Sequence, residues 1–386
     1  MRVLALGGSG DMGRRAVETI LRSDATDQVV VADLDLDRAR SFCDDVGDGR
    51  VRAERADVLD EDATAELMSG CDVVMNTAGP FFRLGVPAIR AAIAAKRPYA
   101  DVCDDYRPTQ EALELDTDAK AAGVPVVIGI GASPGITNLL ARKAYDTLGE
   151  VEHVQTVWGS VGGTLRRREP RVTEPGQVRI SAALVHFLYS SAGTVPVFRD
   201  GRFVEVTPLD DGEEVAFPNG TGTFYVIGHP EPVTIPRFCE GIRSCVNLCG
   251  ESPETYAVLR ELGARVAAGE LTADAAADLY VVEREKRVAA RPPEGLDMGP
   301  RVGGLHASAS GPDGLVGYGI LGTPDGGMAG VTGVPLAIAV EMLMHGEITE
   351  TGVLAPEACI DPDVFFERYA PLCAGAPDEI LYEVRR

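Results

Sequence analysis

The stretch Arg2-Val-Leu-Ala-Leu-Gly-Gly-Ser-Gly-Asp-Met-Gly-Arg14 sets an apolar run, Val3 to Leu6, against glycines at Gly8, Gly10 and Gly13. The run suits a buried parallel strand and Arg14 to Leu21 suits a helix, so the glycines stand where a strand hands over to a helix. Gly8 is expected to permit the tight turn, Gly10 to let backbone approach a pyrophosphate, and Gly13 to allow close helix packing. The helix start offers N–H donors and the positive end of its dipole. Ser9, Asp11 and Met12 complete the expected cofactor-binding turn.

Working outward, a second apolar run, Val29 to Ala32, ends in Asp33, about 20 residues beyond Gly13. A carboxylate there can accept both ribose hydroxyls of an adenosine and would repel a 2′-phosphate, which favours NAD over NADP. Asp35 and Asp37 add negative charge, and only Arg38 and Arg40 argue the other way. Asp57, after a third run at Val51 to Ala53, could reach the adenine edge, and a surface aspartate is the plainer reading.

The alternation continues with a helix over 60–68, a strand over 73–75, a helix over 86–95, a strand over 99–102, a helix over 110–122 and a strand over 124–130. Such alternation predicts an α/β fold with a doubly wound parallel sheet. Its ligand edge is where Asn76-Thr-Ala-Gly-Pro-Phe81, Tyr99-Ala-Asp101 and Gly131-Ala-Ser-Pro-Gly-Ile-Thr-Asn138 fall. From about Val151 to Gly322 the pattern changes to period-two segments, as in 155–159, 195–198, 203–206, 223–227 and 317–321. These predict a second, mixed and mostly antiparallel α+β domain, interrupted by helical stretches over 252–266 and 273–290. Helical segments over 334–344 and 363–370 are expected to fold back on the first domain. The expected division is 1–130, 131–325 and 326–386.

Composition sets the outer limits. The chain has 386 residues and a net charge of −23, which argues against nucleic acid or an anionic membrane as partner. It has no apolar run long enough to cross a bilayer, and the first residues enter the strand directly, so a cytoplasmic location is expected. Eight cysteines show no disulfide framework, and the cluster Cys239, Cys245 and Cys249 lacks the paired spacing of a zinc site, so no metal is expected.

The ordered set of motifs resembles the saccharopine dehydrogenase-like family, whose members include saccharopine reductases, lysine 6-dehydrogenases and carboxynorspermidine dehydrogenases. It comprises the three loops above and the opening Gly7 to Gly13, with Gly228-His-Pro-Glu-Pro232, Thr332-Gly-Val-Pro335 and Gly352-Val-Leu-Ala-Pro-Glu357. The resemblance implies a Rossmann-type domain with an inserted substrate and dimer domain, a homodimer, and an NAD(P)-linked oxidoreductase acting on a carbon–nitrogen bond. It implies that Asn76, Ala78, Gly79 and Pro80 pass along the pyrophosphate or nicotinamide, and that Ser133, Pro134 and Gly135 face the nicotinamide.

It also brings three titratable candidates toward the chemistry, namely His229, Glu231 and Asp101. Of these His229 comes first, because an imidazole titrates near neutrality and can take and return a proton. A structural hydrogen bond is the plainer reading of a histidine in such a turn, and a loop cap is the plainer reading of Asp101. An amino-acid substrate needs a guanidinium for its carboxylate, for which Arg179 and Arg237 are the candidates. The leading expectation is oxidation or reductive formation of a C–N bond through an imine. The alternatives are an NAD-binding dimeric sensor or assembly protein without turnover, and a C=C reductase on the same scaffold.

Overall fold

A computed structural model describes residues 1–167 and 182–386. The first part alternates without a break: β1 (Arg2–Leu6), α1 (Asp11–Ile20), β2 (Gln28–Asp33), α2 (Leu36–Val46), β3 (Val51–Arg55), α3 (Glu61–Ser69) and β4 (Val73–Asn76). It continues through α4 (Phe81–Ala95), β5 (Tyr99–Asp101), α5 (Tyr106–Glu114), α6 (Asp116–Ala122), β6 (Pro125–Val127) and α7 (Ile136–Leu148). Next come β7 (His153–Val161), β8 (Thr164–Leu165), α8 (Ala182–Tyr189), β9 (Val195–Arg199), β10 (Arg202–Val206), β11 (Gly212–Phe217) and β12 (Gly220–Val226). Beyond these lie α9 (Glu231–Phe238), β13 (Ser244–Gly250), α10 (Pro253–Ala267), α11 (Ala273–Ala289), β14 (Leu296–Asp297), β15 (Val302–Gly303), β16 (His306–Gly311) and β17 (Gly314–Ile320). The chain closes with α12 (Met328–Met344), β18 (Gly352–Leu354), α13 (Pro356–Cys359), α14 (Pro362–Tyr369) and β19 (Leu381–Arg385). Among the described residues no helix is long and apolar enough to cross a membrane.

Contacts divide the chain into one unit of 1–143 with 320–381 and another of 144–319 with 382–386. In the first, seven parallel strands run in the order β18-β6-β5-β4-β1-β2-β3. Strands β1, β2 and β4 are almost wholly apolar and buried, as strands covered on both faces must be. The fold is thus the α/β, Rossmann-type doubly wound arrangement that the alternation predicts.

The link between the last helical segments, read from sequence only as acidic and Pro-containing, supplies a strand. Val353 and Leu354 pair with Val126 and Val127 and make β18 the outermost member of the sheet. The helix expected from Val334 begins earlier, at Met328, and packs on α1. Gly333 makes that approach possible, because a Cβ there would lie 2.5 Å from the Met12 carbonyl oxygen and 2.9 Å from the Ala16 nitrogen.

The second unit is built on a ten-stranded mixed sheet along β10-β9-β13-β7-β16-β17-β19, with the β11–β12 hairpin joined to β13 and β15 paired to β7. Among the described residues β7 and β13 pair in parallel, while β9–β10, β11–β12, β12–β13, β16–β17 and β7–β16 are antiparallel, so the mostly antiparallel expectation holds. Helices α8, α10 and α11 bury Leu188, Leu259, Leu262 and Ala277 in a core shared with Leu209 and Ile227. Each large aliphatic side chain so buried contributes roughly 1.5–3 kcal/mol. Strand β13 explains two of the three clustered cysteines: Cys245 and Cys249 are buried on it as apolar residues, and burial pushes the Cys249 thiol upward.

Candidate functional site

In the first unit the opening turn closes tightly. Gly7, rather than Gly8, takes the left-handed conformation, with φ +66°, and a Cβ on it would lie 2.7 Å from the Ala78 nitrogen. Gly8 instead packs on Ala5, and a Cβ on Gly13 would lie 2.5 Å from the Gly7 carbonyl oxygen. Thr77 Oγ1 donates to the carbonyls of Leu6 and Gly7, so the end of β4 clamps the turn. Helix α1 starts immediately after Gly10, with no side chain capping its first amides. The N–H groups of its first turn have no partner within the helix and suit a pyrophosphate. Ser9 is buried, whereas Asp11 is exposed in that first turn.

At the end of β2, Asp33 is 7% exposed and tied into a ring. Ser9 Oγ donates to Asp33 Oδ2 at 2.5 Å, Arg38 Nη2 donates to the same oxygen at 2.7 Å, and Arg38 Nε donates to Ser9 Oγ at 2.8 Å. The Asp35 amide reaches Oδ1 at 3.1 Å. Burial opposes ionisation of Asp33, but the hydrogen bonds from Ser9, Arg38 and the Asp35 amide outweigh it and hold the carboxyl below its ordinary range. Asp57 is exposed beyond β3 and accepts from the Leu59 amide. Narrow glycine turn, open helix start and ionised acceptor fit a dinucleotide. Gly7 to Gly13 would hold its pyrophosphate and Asp33 its ribose.

Three further loops line the same sheet edge. Asn76 donates to Tyr99 Oη at 2.7 Å and its Oδ1 accepts from the Ala78 amide at 2.8 Å, which orders the start of Ala78-Gly-Pro80. Tyr99 Oη in turn donates to Asp101 Oδ2 at 2.9 Å. The other Asp101 oxygen accepts the amides of Cys103 at 3.0 Å and Gly129 at 2.9 Å. Burial pushes the Asp101 carboxyl up to about 6 despite those bonds. This aspartate therefore joins two loops and is saturated by them.

The loop Ser133-Pro-Gly135 is fixed likewise. A Cβ on Gly135, where φ is +120°, would lie 2.2 Å from the Gly131 carbonyl oxygen. The Gly135 amide donates to Asn138 Oδ1 at 2.8 Å, and Asn138 Nδ2 donates to Glu357 Oε2 at 2.8 Å.

The second unit contains a buried polar array. His229 Nδ1 lies 3.1 Å from Glu231 Oε2, and its Nε2 lies 3.2 Å from His186 Nε2. A carboxylate can only accept, so Nδ1 of His229 carries a proton; in the neutral ring Nε2 then accepts from His186. Asn247 Nδ2 donates to Glu231 Oε1 at 2.9 Å and to Thr156 Oγ1 at 2.9 Å, while Trp158 Nε1 donates to Asn247 Oδ1 at 3.0 Å. The Trp158 ring also lies 5.7 Å from that of His229. Both histidines, Glu231 and Asn247 are buried. Such an array can hold one extra proton between two imidazoles, with Glu231 balancing the charge.

His229 and Glu231 are thus brought together. Glu231 opens helix α9, while the sequence places it in a turn. His186, Asn247, Trp158 and Thr156 carry no sequence signal of their own. A single histidine in Ala182-Ala-Leu-Val-His-Phe-Leu-Tyr189 reads as part of an apolar helix. Arg237 is exposed in the last turn of α9, 5.8 Å from the Phe238 ring. Arg179 lies outside the described residues.

The family model of the saccharopine dehydrogenase NADP binding domain matches residues 3–127, and that of the saccharopine dehydrogenase C-terminal domain matches residues 315–372. Among solved structures, apo saccharopine dehydrogenase (L-Glu forming) from Saccharomyces cerevisiae is similar over 100% of this chain and 99% of its own, at 17% identity and a TM-score of 0.64. A "probable dehydrogenase" from Thermotoga maritima covers 100% of this chain and 98% of its own, at 11% identity and a TM-score of 0.45. The fold is shared with the yeast enzyme, and the two matched domains account for the glycine turn and for the returning C-terminal segment. By these two domains, over residues 3–127 and 315–372, the chain is saccharopine dehydrogenase-like.

Proposed function

We propose that the protein oxidises, or forms reductively, a carbon–nitrogen bond of an amine or amino acid, with NAD as the preferred dinucleotide. The observation that carries the reading is the buried Glu231–His229–His186 array in a chain whose family performs nicotinamide-linked redox chemistry. Nicotinamide, when bound, accepts the hydride from the amine-bearing carbon. The protein's own part is to receive and return protons. The substrate amine must be neutral before the C–N double bond forms, and water attacking that bond must lose a proton.

His229 is the proton carrier in this reading. Glu231 fixes its tautomer and offsets the charge of the imidazolium, and His186 shares the proton through Nε2. Asp101 keeps Tyr99 and the loops at Cys103 and Gly129 in place. Asp33 receives the ribose hydroxyls and disfavours a 2′-phosphate, but its pairing with Arg38 offsets part of that repulsion, so NADP is accommodated, less tightly than NAD.

The test is direct. Purified protein with NAD and a panel of diamines and basic amino acids should form NADH. His229→Gln should lower kcat by about 10²–10⁴-fold with NAD affinity unchanged, the usual contribution of an acid–base group. Full turnover in that variant would remove His229 from the reaction.

A further inference from the structure

Past Trp158, whose ring lies 5.7 Å from that of His229, strand β7 runs on into a cavity of about 350 Å³ lined by Gly159, Ser160, Arg301, Val302, Gly303 and Gly304. Its floor is bare backbone by necessity. A Cβ on Gly159 would lie 2.2 Å from the Gly250 carbonyl oxygen, and one on Gly303 would lie 2.4 Å from the Gly159 carbonyl oxygen. Both glycines have positive φ, +80° and +129°. No side chain can occupy these positions without moving a strand, so both glycines give the lining backbone alone.

Arg301 supplies the cavity's charge. Its Nε donates to Ser160 Oγ at 3.0 Å, and its carbonyl accepts from Asn219 Nδ2 at 2.8 Å, which holds the residue at both ends. Elsewhere in the second unit Arg199, Arg243, Arg287 and Arg291 are each answered by a carboxylate. Among the described residues Arg301 meets none, in a chain carrying 59 acidic against 36 basic side chains. With Nε engaged, the paired Nη atoms are left to take an oxyanion, and a carboxylate is the planar group that matches them.

We propose that Arg301, oriented by Ser160, binds the carboxylate of an amino-acid substrate in this cavity. The inference rests on the reading of the protein as an amine or amino-acid oxidoreductase, and it replaces Arg237 as the anchoring guanidinium. Ser160 follows Trp158 by two residues on β7, a rise of roughly 6–7 Å. The spacing suits a substrate whose carboxylate is several bonds from the nitrogen that reacts.

The experiment compares ligands that differ by that group alone. Binding of L-lysine, glutarate and 1,5-diaminopentane to the full chain is measured by titration calorimetry, for the native protein and for R301Q, S160A and R237Q. R301Q should weaken L-lysine and glutarate at least tenfold, and S160A a few-fold. Neither should alter 1,5-diaminopentane, and R237Q should alter none of them. Equal weakening of the diamine, undiminished L-lysine binding in R301Q, or failure of both carboxylates to bind the native protein would overturn the proposal. Failure of the oxidoreductase reading looks different: no NADH from any amine, with carboxylate binding that still depends on Arg301.

Discussion

Asn138 and Glu357 meet through a 2.8 Å hydrogen bond across 219 residues of sequence, with both side chains buried. The same Asn138 side chain receives the Gly135 amide, so the glycine loop of α7 and the Gly352–Glu357 motif are two ends of one connection. Asn138→Asp would set a second carboxylate against Glu357 in a buried site. It should destabilise the protein by about 3 kcal/mol, the usual consequence of an unpaired buried charge, and urea unfolding near neutral pH would show it. Glu357→Gln, which keeps the shape, should cost less.

Gly333→Val tests the contact between α12 and the first turn of α1. The added side chain meets the Met12 carbonyl and Ala16 amide, which are backbone and cannot turn aside. Overpacking of this kind costs about 1–3 kcal/mol. Here it should also weaken dinucleotide binding several-fold, because the helix start that would hold the pyrophosphate must shift; a fluorescence titration with NADH reads this.

Arg38→Ala separates the two dinucleotides. Loss of the guanidinium leaves Asp33 with the Ser9 hydroxyl and the Asp35 amide, enough to remain an acceptor for ribose. NADP should bind about tenfold more weakly, for want of a charge-assisted bond worth about 1.5–3 kcal/mol. NAD should change by less than about threefold on the same grounds. Equal losses would mean that Arg38 only steadies Asp33.

Two buried groups give opposite dependences of stability on pH. Burial holds the His306 imidazole down at about 4 in the folded protein, where its Nδ1 lies 3.2 Å from Tyr382 Oη and its Nε2 has no partner among the described residues. The unfolded chain takes up this proton near 6.5, so stability declines as pH falls from about 6.5 to about 4, by roughly 3 kcal/mol in all. Asp101, raised to about 6, keeps its proton longer when folded, so its contribution grows as pH falls over much the same window. Asp101→Asn should therefore steepen the loss of stability on acidification. His306→Gln should flatten or reverse it. Urea midpoints at pH 7 and pH 4.5 distinguish the two.

Much of the first unit is legible locally. Strand–glycine–helix order, Asp33 at the end of β2 and the alternation through β6 all depend on residues close in sequence and appear in the expected order, although α4 starts at Phe81 rather than at 86, the helix expected over 110–122 is two, α5 and α6, and the strand expected over 124–130 is only β6. What is missed depends on distance or on disguise. β18 is three residues whose only reason to be a strand is the exposed edge of β6. His186 sits in an apolar helix, and its meaning comes from His229, 43 residues away. The two prolines flanking Glu231 point to a turn, yet Pro232 stands at the start of α9, where its missing N–H costs nothing. Arg38 reads as a stray positive charge among acids until its bonds to Asp33 and Ser9 are known.

The late arrival of β18 has a bearing on how the molecule is made. Val126 and Val127 form a sheet edge that receives its partner only from residues 352–354. At about 5–20 residues per second, a ribosome spends roughly ten to fifty seconds between those two points. For that interval the first unit waits with an unpaired apolar margin while residues 144–319 of the second unit are synthesised. A nascent chain in this state exposes a strand edge open to pairing with other chains, and the strand that covers it is made only after residues 144–319.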